Sequence, residues 1–288
     1  MYNIGIIGKG FVGTAVAAGF SPHTGYDAHV RIYDVDPSKS THTLSETIND
    51  SDVIFVSVPT PASKKGDIDL SIIHSVLNDI SSVIKRDDNV ILIRSTVVPG
   101  TSAKFQSDYP NLNIVFNPEF LTERSAHFDF INQARVILGG TAEHTEKVAQ
   151  LYKSRFGEYL PIIQTSYETA ELIKYMNNLF FATKVSFLNE MLLISEKVGA
   201  DWDAAIEGFV LDGRVGHSHI KVPGHDGKKG FGGSCFPKDI QAMIHFASSL
   251  NINMNVLKGA WQTNLEVRPE KDWESLKGRA VAENSHDE

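Results

Sequence analysis

The sequence predicts an α/β protein: a doubly wound parallel sheet over residues 1–165, an all-helical domain with a long central helix over residues 166–266, and a polar carboxy-terminal tail over residues 267–288. Three observations carry this. Short apolar runs alternate with helical patterns through the first half, and that alternation belongs to parallel strands joined by crossover helices. A glycine-rich turn follows the first apolar run directly. Residues Tyr167 to Val198 contain neither Gly nor Pro and place apolar side chains at helical spacing.

Taken in chain order, Asn3 to Ile7, Val30 to Tyr33, Asp52 to Val58, Asn89 to Arg94, Asn113 to Phe116 and Arg135 to Leu138 read as buried strands. The turn Gly8-Lys9-Gly10-Phe11-Val12-Gly13 lies between the first strand and an apparent helix, the context that turns three glycines into a Rossmann-like dinucleotide fingerprint. The first glycine permits the tight turn, the second lets backbone approach a pyrophosphate, and the third lets helix and strand pack closely. The helix amino terminus then offers amide donors to the phosphates. Asp34 ends the second strand 21 positions beyond Gly13, where a carboxylate accepts from an adenosine ribose and repels a 2′-phosphate, so the expected cofactor is NAD rather than NADP. Val58-Pro59-Thr60-Pro61 closes the third strand and would bound the same crevice, or is simply a turn. The helices of the second domain are expected at Tyr167 to Val198, Trp202 to Phe209 and Lys238 to Leu250, with a Gly-rich, basic loop from Gly213 to Gly233.

The 288 residues are 42% hydrophobic, enough for one or two substantial cores. A formal net charge of -8 argues against nucleic acid or an anionic membrane as a partner. A single cysteine excludes an internal disulfide framework and suggests a reducing compartment. The start Met1-Tyr2-Asn3-Ile4-Gly5 reads as strand rather than signal peptide, and no apolar run reaches the ~20 residues a bilayer span needs, so a cytoplasmic location is expected.

The chemistry concentrates in four places: Arg94-Ser95-Thr96, Asn117-Pro118-Glu119-Phe120-Leu121-Thr122-Glu123, Lys174 with Asn178, and Gly232-Gly233-Ser234-Cys235-Phe236-Pro237-Lys238-Asp239. Through these segments the chain resembles the UDP-glucose 6-dehydrogenase and related nucleotide-sugar 6-dehydrogenase family over residues 1 to about 265. The resemblance implies oxidation of a sugar C6 alcohol to a carboxylate with two NAD molecules, UDP-glucose to UDP-glucuronate above all. It makes Cys235 the nucleophile that captures an aldehyde as a thiohemiacetal, from which hydride loss leaves a thioester for water to cleave. A helix amino terminus and Lys238 would lower the thiol pKa. Read without the family, a lone cysteine is more often a small buried hydrophobe.

The resemblance further implies that Lys174 and Asn178 stabilise a developing oxyanion, that Asp239 organises water and proton transfer, that Glu119 acts with Thr96 on the same steps, and that Glu123 binds near the nicotinamide or positions a water. Cofactor contacts would come from Gly8, Gly10, Phe11, Val12, Gly13, Asp34, Pro59, Thr60, Thr96 and Glu123. Substrate contacts would come from Glu119, Phe120, Leu121, Lys174, Asn178, Gly232 and Arg214, the last reaching the substrate of a neighbouring subunit in a homodimer built on the long helix. Spacing alone also fits an exposed Lys and Asn on an amphipathic helix, and two Glu at a solvated helix start. No metal is expected, because His217, His219 and His225 have no carboxylate or cysteine at ligand spacing.

The family's carboxy-terminal UDP-binding domain has no counterpart in the 23 residues after Leu265, and Gly224-His225-Asp226-Gly227-Lys228-Lys229 is longer than the family pattern at that point. Two further readings follow: a two-electron β-hydroxyacid dehydrogenase, and a non-catalytic NAD-binding protein completed by a partner chain.

Overall fold

A computed structural model describes residues 1–63 and 65–282. The chain divides into two compact units, the first comprising Met1–Thr60 with Leu70–Lys174 and the second Pro61–Asp69 with the chain from Tyr175.

Continuous runs of Ile, Val, Leu and Phe set the first unit, since strands buried on both faces need apolar side chains at every position. Strands β1 (Asn3–Ile7), β2 (His29–Tyr33), β3 (Val53–Val56), β4 (Val90–Ile93), β5 (Ile114–Phe116), β6 (Val136–Gly139) and β7 (Ile162–Thr165) form one sheet in the order β2-β1-β3-β4-β5-β6-β7. The first five are parallel. Alternate residues feed two cores. Ile4, Ile6, Phe55 and Leu92 pack with α1 (Phe11–Gly19) and α6 (Ala142–Phe156), whereas Ile7, Ile54, Ile93 and Phe116 pack with α3 (Ser71–Val83) and α4 (Thr101–Asp108). After β1 the chain places β2 on one side and β3 on the other, which opens a crevice at the carboxyl ends of β1 and β3.

Strand β7 was not among the expected strands, and β5 pairs with β6 antiparallel, at Phe116 and Gly139. An antiparallel neighbour starts at the end where its predecessor finished. The connection 117–135, with the short helix α5 (Ala126–Ile131), therefore stays at the carboxyl end of β5.

Helix α7 (Tyr167–Val198) runs 32 residues, as its uninterrupted periodicity predicts, and the division between units falls within it. The second unit adds α8 (Trp202–Val210), α9 (Phe236–Ser249) and α10 (Asn255–Val267). Of the segment expected as a polar tail, residues 268–282 are packed into this unit: Arg268, Trp273 and Ala280 are buried, and Ala62 exchanges backbone hydrogen bonds with Ala280 and Ala282. Residues 283–288 lie outside the described residues. Among the described residues no helix is long and apolar enough to cross a membrane.

Candidate active site

The glycine turn has the geometry that each of its positions requires. Gly8 takes φ 89°, and a Cβ there would stand 2.4 Å from the Ser57 carbonyl oxygen across the crevice. A Cβ on Gly13 would lie 2.0 Å from the Gly8 carbonyl oxygen, so only glycine lets α1 seat against the turn. Gly10 faces open space, with nothing within 4 Å of where its Cβ would be, and Phe11 and Val12 begin α1 behind it. The backbone is thus bare where a pyrophosphate needs close approach.

Asp34 stands at the carboxyl end of β2 with its Oδ2 accepting the Lys9 amide at 2.6 Å and its Oδ1 accepting the Asp36 amide at 2.9 Å. Beside it opens a cleft of about 400 Å³ lined by Tyr33, Asp34, Val35, Thr41 and His42 among others. Bare backbone, a helix start and a fixed carboxylate at one crevice fit a dinucleotide without a 2′-phosphate.

Next along the sheet, Ser95 Oγ donates to the Val58 carbonyl at 2.6 Å and accepts the Val58 amide at 3.2 Å, and Thr60 Oγ1 donates to the Thr96 carbonyl at 2.8 Å. These bonds tie the segment holding Pro59 and Thr60 to Thr96. Glu171, wholly buried on α7, accepts the Gly100 and Ser102 amides at 2.6 and 2.7 Å and so anchors the start of α4, which follows Thr96. Burial raises its carboxyl pKa to about 7 against the opposing pull of these hydrogen bonds.

Lys174 is 2% exposed, and its ammonium donates to the Glu119 backbone carbonyl and to Glu119 Oε1 at 3.2 Å. Glu119 Oε2 accepts the Leu121 amide at 2.7 Å, and the Phe120 ring lies 5.4 Å from the ammonium. The structure thereby joins Lys174, Glu119, Phe120 and Leu121 in one cluster. Behind it, the buried Arg94 donates to Asn117, which also accepts from Tyr152 and donates to the Ile137 carbonyl. Glu123 is exposed at the start of a short 3-10 turn.

In the second unit Cys235, half-buried, occupies the N-cap of α9, with Pro237 inside the first turn. On that turn Asp239 is 1% exposed; it receives Lys238 Nζ at 2.6 Å on one oxygen and Asn178 Nδ2 at 2.7 Å on the other. Lys238 is thus paired with Asp239. The structure unites Asn178, Asp239 and the helix that Cys235 begins, whereas Arg214 is highly exposed and pairs with Asp212 at 2.6 Å. His219 stacks on Phe181 with ring centroids 4.1 Å apart, and burial pushes its pKa down.

The residues that hold the cysteine loop were not visible in the sequence. Asn264 accepts the Phe231 amide and donates to its carbonyl, Asn189 accepts the Gly230 amide, and Asp272, bonded to Arg268, accepts the Gly233 amide. The available signal was the opposite charge of Arg268 and Asp272 four apart, interrupted by Pro269.

Two family models match the chain. The NAD binding domain of the UDP-glucose/GDP-mannose dehydrogenase family matches residues 38–155, and the central domain of that family matches residues 168–266. The UDP-glucose 6-dehydrogenase TuaD of Bacillus subtilis (strain 168) is 35% identical over 235 residues, which are 79% of this chain and 49% of the relative. The chain spans about half the length of the curated UDP-glucose 6-dehydrogenases it matches. A solved UDP-glucose dehydrogenase from the hyperthermophilic archaeon Pyrobaculum islandicum is similar at a TM-score of 0.79 and 28% identity, covering 96% of this chain and 70% of that one. Mycobacterium tuberculosis 3-hydroxyisobutyrate dehydrogenase, at a TM-score of 0.71 and 16% identity over 94% of this chain and 95% of that one, shares the fold.

Proposed function

This chain belongs to the UDP-glucose/GDP-mannose dehydrogenase family, and from that premise we propose that it is an NAD-dependent dehydrogenase that oxidises the C6 alcohol of a nucleotide sugar, UDP-glucose first among them, to the carboxylate. The observation that carries the reading is Cys235 at the N-cap of α9, with Asp239 on the following turn buried and hydrogen-bonded to Asn178.

Gly8, Gly10 and Gly13 would hold the pyrophosphate of NAD and Asp34 its adenosine ribose, with Pro59, Thr60 and Thr96 farther along the same crevice. Bound NAD supplies the hydride acceptor for both oxidations. Lys174 and Asn178, one helical turn apart on α7, would stabilise charge on the reacting oxygen. Glu119 pairs with the Lys174 ammonium at 3.2 Å. At the aldehyde stage the Cys235 thiolate bonds to the carbonyl carbon. Loss of the second hydride leaves a thioester, and water breaks the C–S bond to release the acid and restore the thiol. Asp239 would orient that water, with Glu119 and Thr96 assisting proton movement and Glu123 binding near the nicotinamide.

A homodimer is part of this proposal. Met176, Phe180, Phe187 and Ile194 are exposed at spacings that put them on one side of α7, an apolar stripe suited to a second copy. Arg214, far out in solvent, would exchange its pairing with Asp212 for a neighbour's substrate.

Replacing Cys235 with Ser tests the chemistry. The expected outcome is loss of sugar-acid formation by a variant that still binds NAD. Undiminished acid formation would remove the thioester route, and unchanged two-electron turnover of a β-hydroxyacid by Cys235→Ala would favour that reading instead.

A further inference from the structure

The loop Gly230–Ser234 enters Cys235 with little conformational restraint of its own, since Gly230 and Gly233 take positive φ of 70° and 73° and flank Gly232. Its first half is fixed by neutral groups, the Asn189 and Asn264 side chains. The half nearer the cysteine rests on a charged cluster. Arg268, 4% exposed, donates from Nε to Asp272 at 2.6 Å, from Nη2 to Asp226 at 2.6 Å and from Nη1 to the Lys229 carbonyl at 3.3 Å. Asp272 then accepts the Gly233 amide at 3.2 Å. A Cβ on Gly232 would lie 2.5 Å from both Asp272 carboxylate oxygens and 2.6 Å from Arg268 Nη2, so the loop backbone lies directly on the ion pair.

The two sides of this cluster come from two segments distant in the chain. Asp226, Lys228 and Lys229 belong to the long turn at 224–229, and Arg268, Glu270 and Asp272 follow the last residue matched by the family's central domain. Lys228 and Glu270 pair at 3.0 Å as well. Trp273, 3% exposed and packed on Trp261 at 5.3 Å between ring centroids, anchors the second side.

We propose that Arg268 is a positioning residue for Cys235: its guanidinium locks Asp226 to Asp272, and Asp272 in turn fixes the Gly232–Gly233 backbone that sets where the thiol stands. A planar fork is required, because three acceptors in different directions are met at once, and a lysine ammonium keeps the charge without the fork. Asn264 and Asn189 hold Gly230 and Phe231 independently, so losing the fork releases the cysteine side of the loop and leaves the rest of the unit in place.

The kinetic part of the test rests on Cys235 acting as proposed above, and the thiol part stands without it. Cys235 is the only cysteine, so iodoacetamide alkylation of the full chain reads this thiol alone. In Arg268→Lys, with thermal unfolding measured alongside, alkylation should rise several-fold because the half-buried thiol gains freedom. For UDP-glucose oxidation, kcat should fall by about tenfold to a hundredfold, the loss expected of an ångström-scale misplacement, with KM for NAD unchanged. Asp226→Asn, at the exposed end of the cluster, should shift both readouts in the same direction by less. If the natural chain proves inactive, the alkylation comparison still decides the clamp. Alkylation of Arg268→Lys and Asp226→Asn at the natural rate would overturn the proposal, as would changes in alkylation that merely track a lowered unfolding temperature.

Discussion

The Asp34 carboxylate has little freedom to step aside, because amides on both flanks, Lys9 and Asp36, hold its two oxygens. A 2′-phosphate at that position meets a fixed negative charge. The expected outcome is a kcat/KM with NAD well above that with NADP, compared in steady-state assays at equal substrate; a higher value with NADP would remove Asp34 from its assigned role. At this scale the sequence was informative where an arrangement depends on neighbours in the chain. The glycine turn was legible because a strand, turn and helix start are local, whereas Cys235 and Asp239 were singled out through the family resemblance, and the structure adds their places at the N-cap and first turn of α9. Arg268 was not legible, since its partner Asp226 lies 42 residues earlier and nothing in a linear pattern connects them. Lys238 was expected as a cation for the thiol, whereas the structure pairs it with Asp239 at 2.6 Å, with both groups buried.

Elements were readable in proportion to their length and uniformity. Helix α7 was predicted to its ends because 32 residues without Gly or Pro sustain one periodicity. Strand β7 was missed because its residues are only partly buried or exposed, which removes the apolar run that marked the other strands. Helix α10 was also not anticipated, with Gly259 interrupting its pattern.

The cluster of Asp226, Arg268 and Asp272 implies a pH dependence. Partial burial pushes the Asp226 and Asp272 carboxyls up, but hydrogen bonds and charge from Arg268 outweigh it and leave both below the ordinary carboxylate value. Carboxyls depressed in the folded state contribute stability that is complete above their unfolded pKa of about 3.9 and is lost as pH falls through the folded values. Acid titration followed by tryptophan fluorescence should therefore show the environment of Trp261 and Trp273 loosening below about pH 4. In Asp226→Asn that acid transition should be shallower. An identical transition in the variant would separate the pair from acid sensitivity.

For the whole molecule, family membership rests on two matched regions that together cover most of the chain, and the fold agrees with a solved UDP-glucose dehydrogenase over nearly all of it. The sequence displayed the α/β class through strand alternation. It did not display how residues 268–282 pack, since that segment is polar by composition and owes its order to the few groups it buries, Arg268, Trp273 and Ala280. The homodimer proposal predicts twice the chain mass in sedimentation equilibrium and a monomer once Phe180 on the α7 stripe is replaced by a charged residue; a monomeric natural chain would contradict it.

The central claim, oxidation of a nucleotide-sugar alcohol through covalent capture at Cys235, is tested most directly by counting NADH formed per UDP-glucose consumed with NAD in excess. The account predicts two NADH for each sugar. One NADH per sugar, with the aldehyde accumulating, would contradict it.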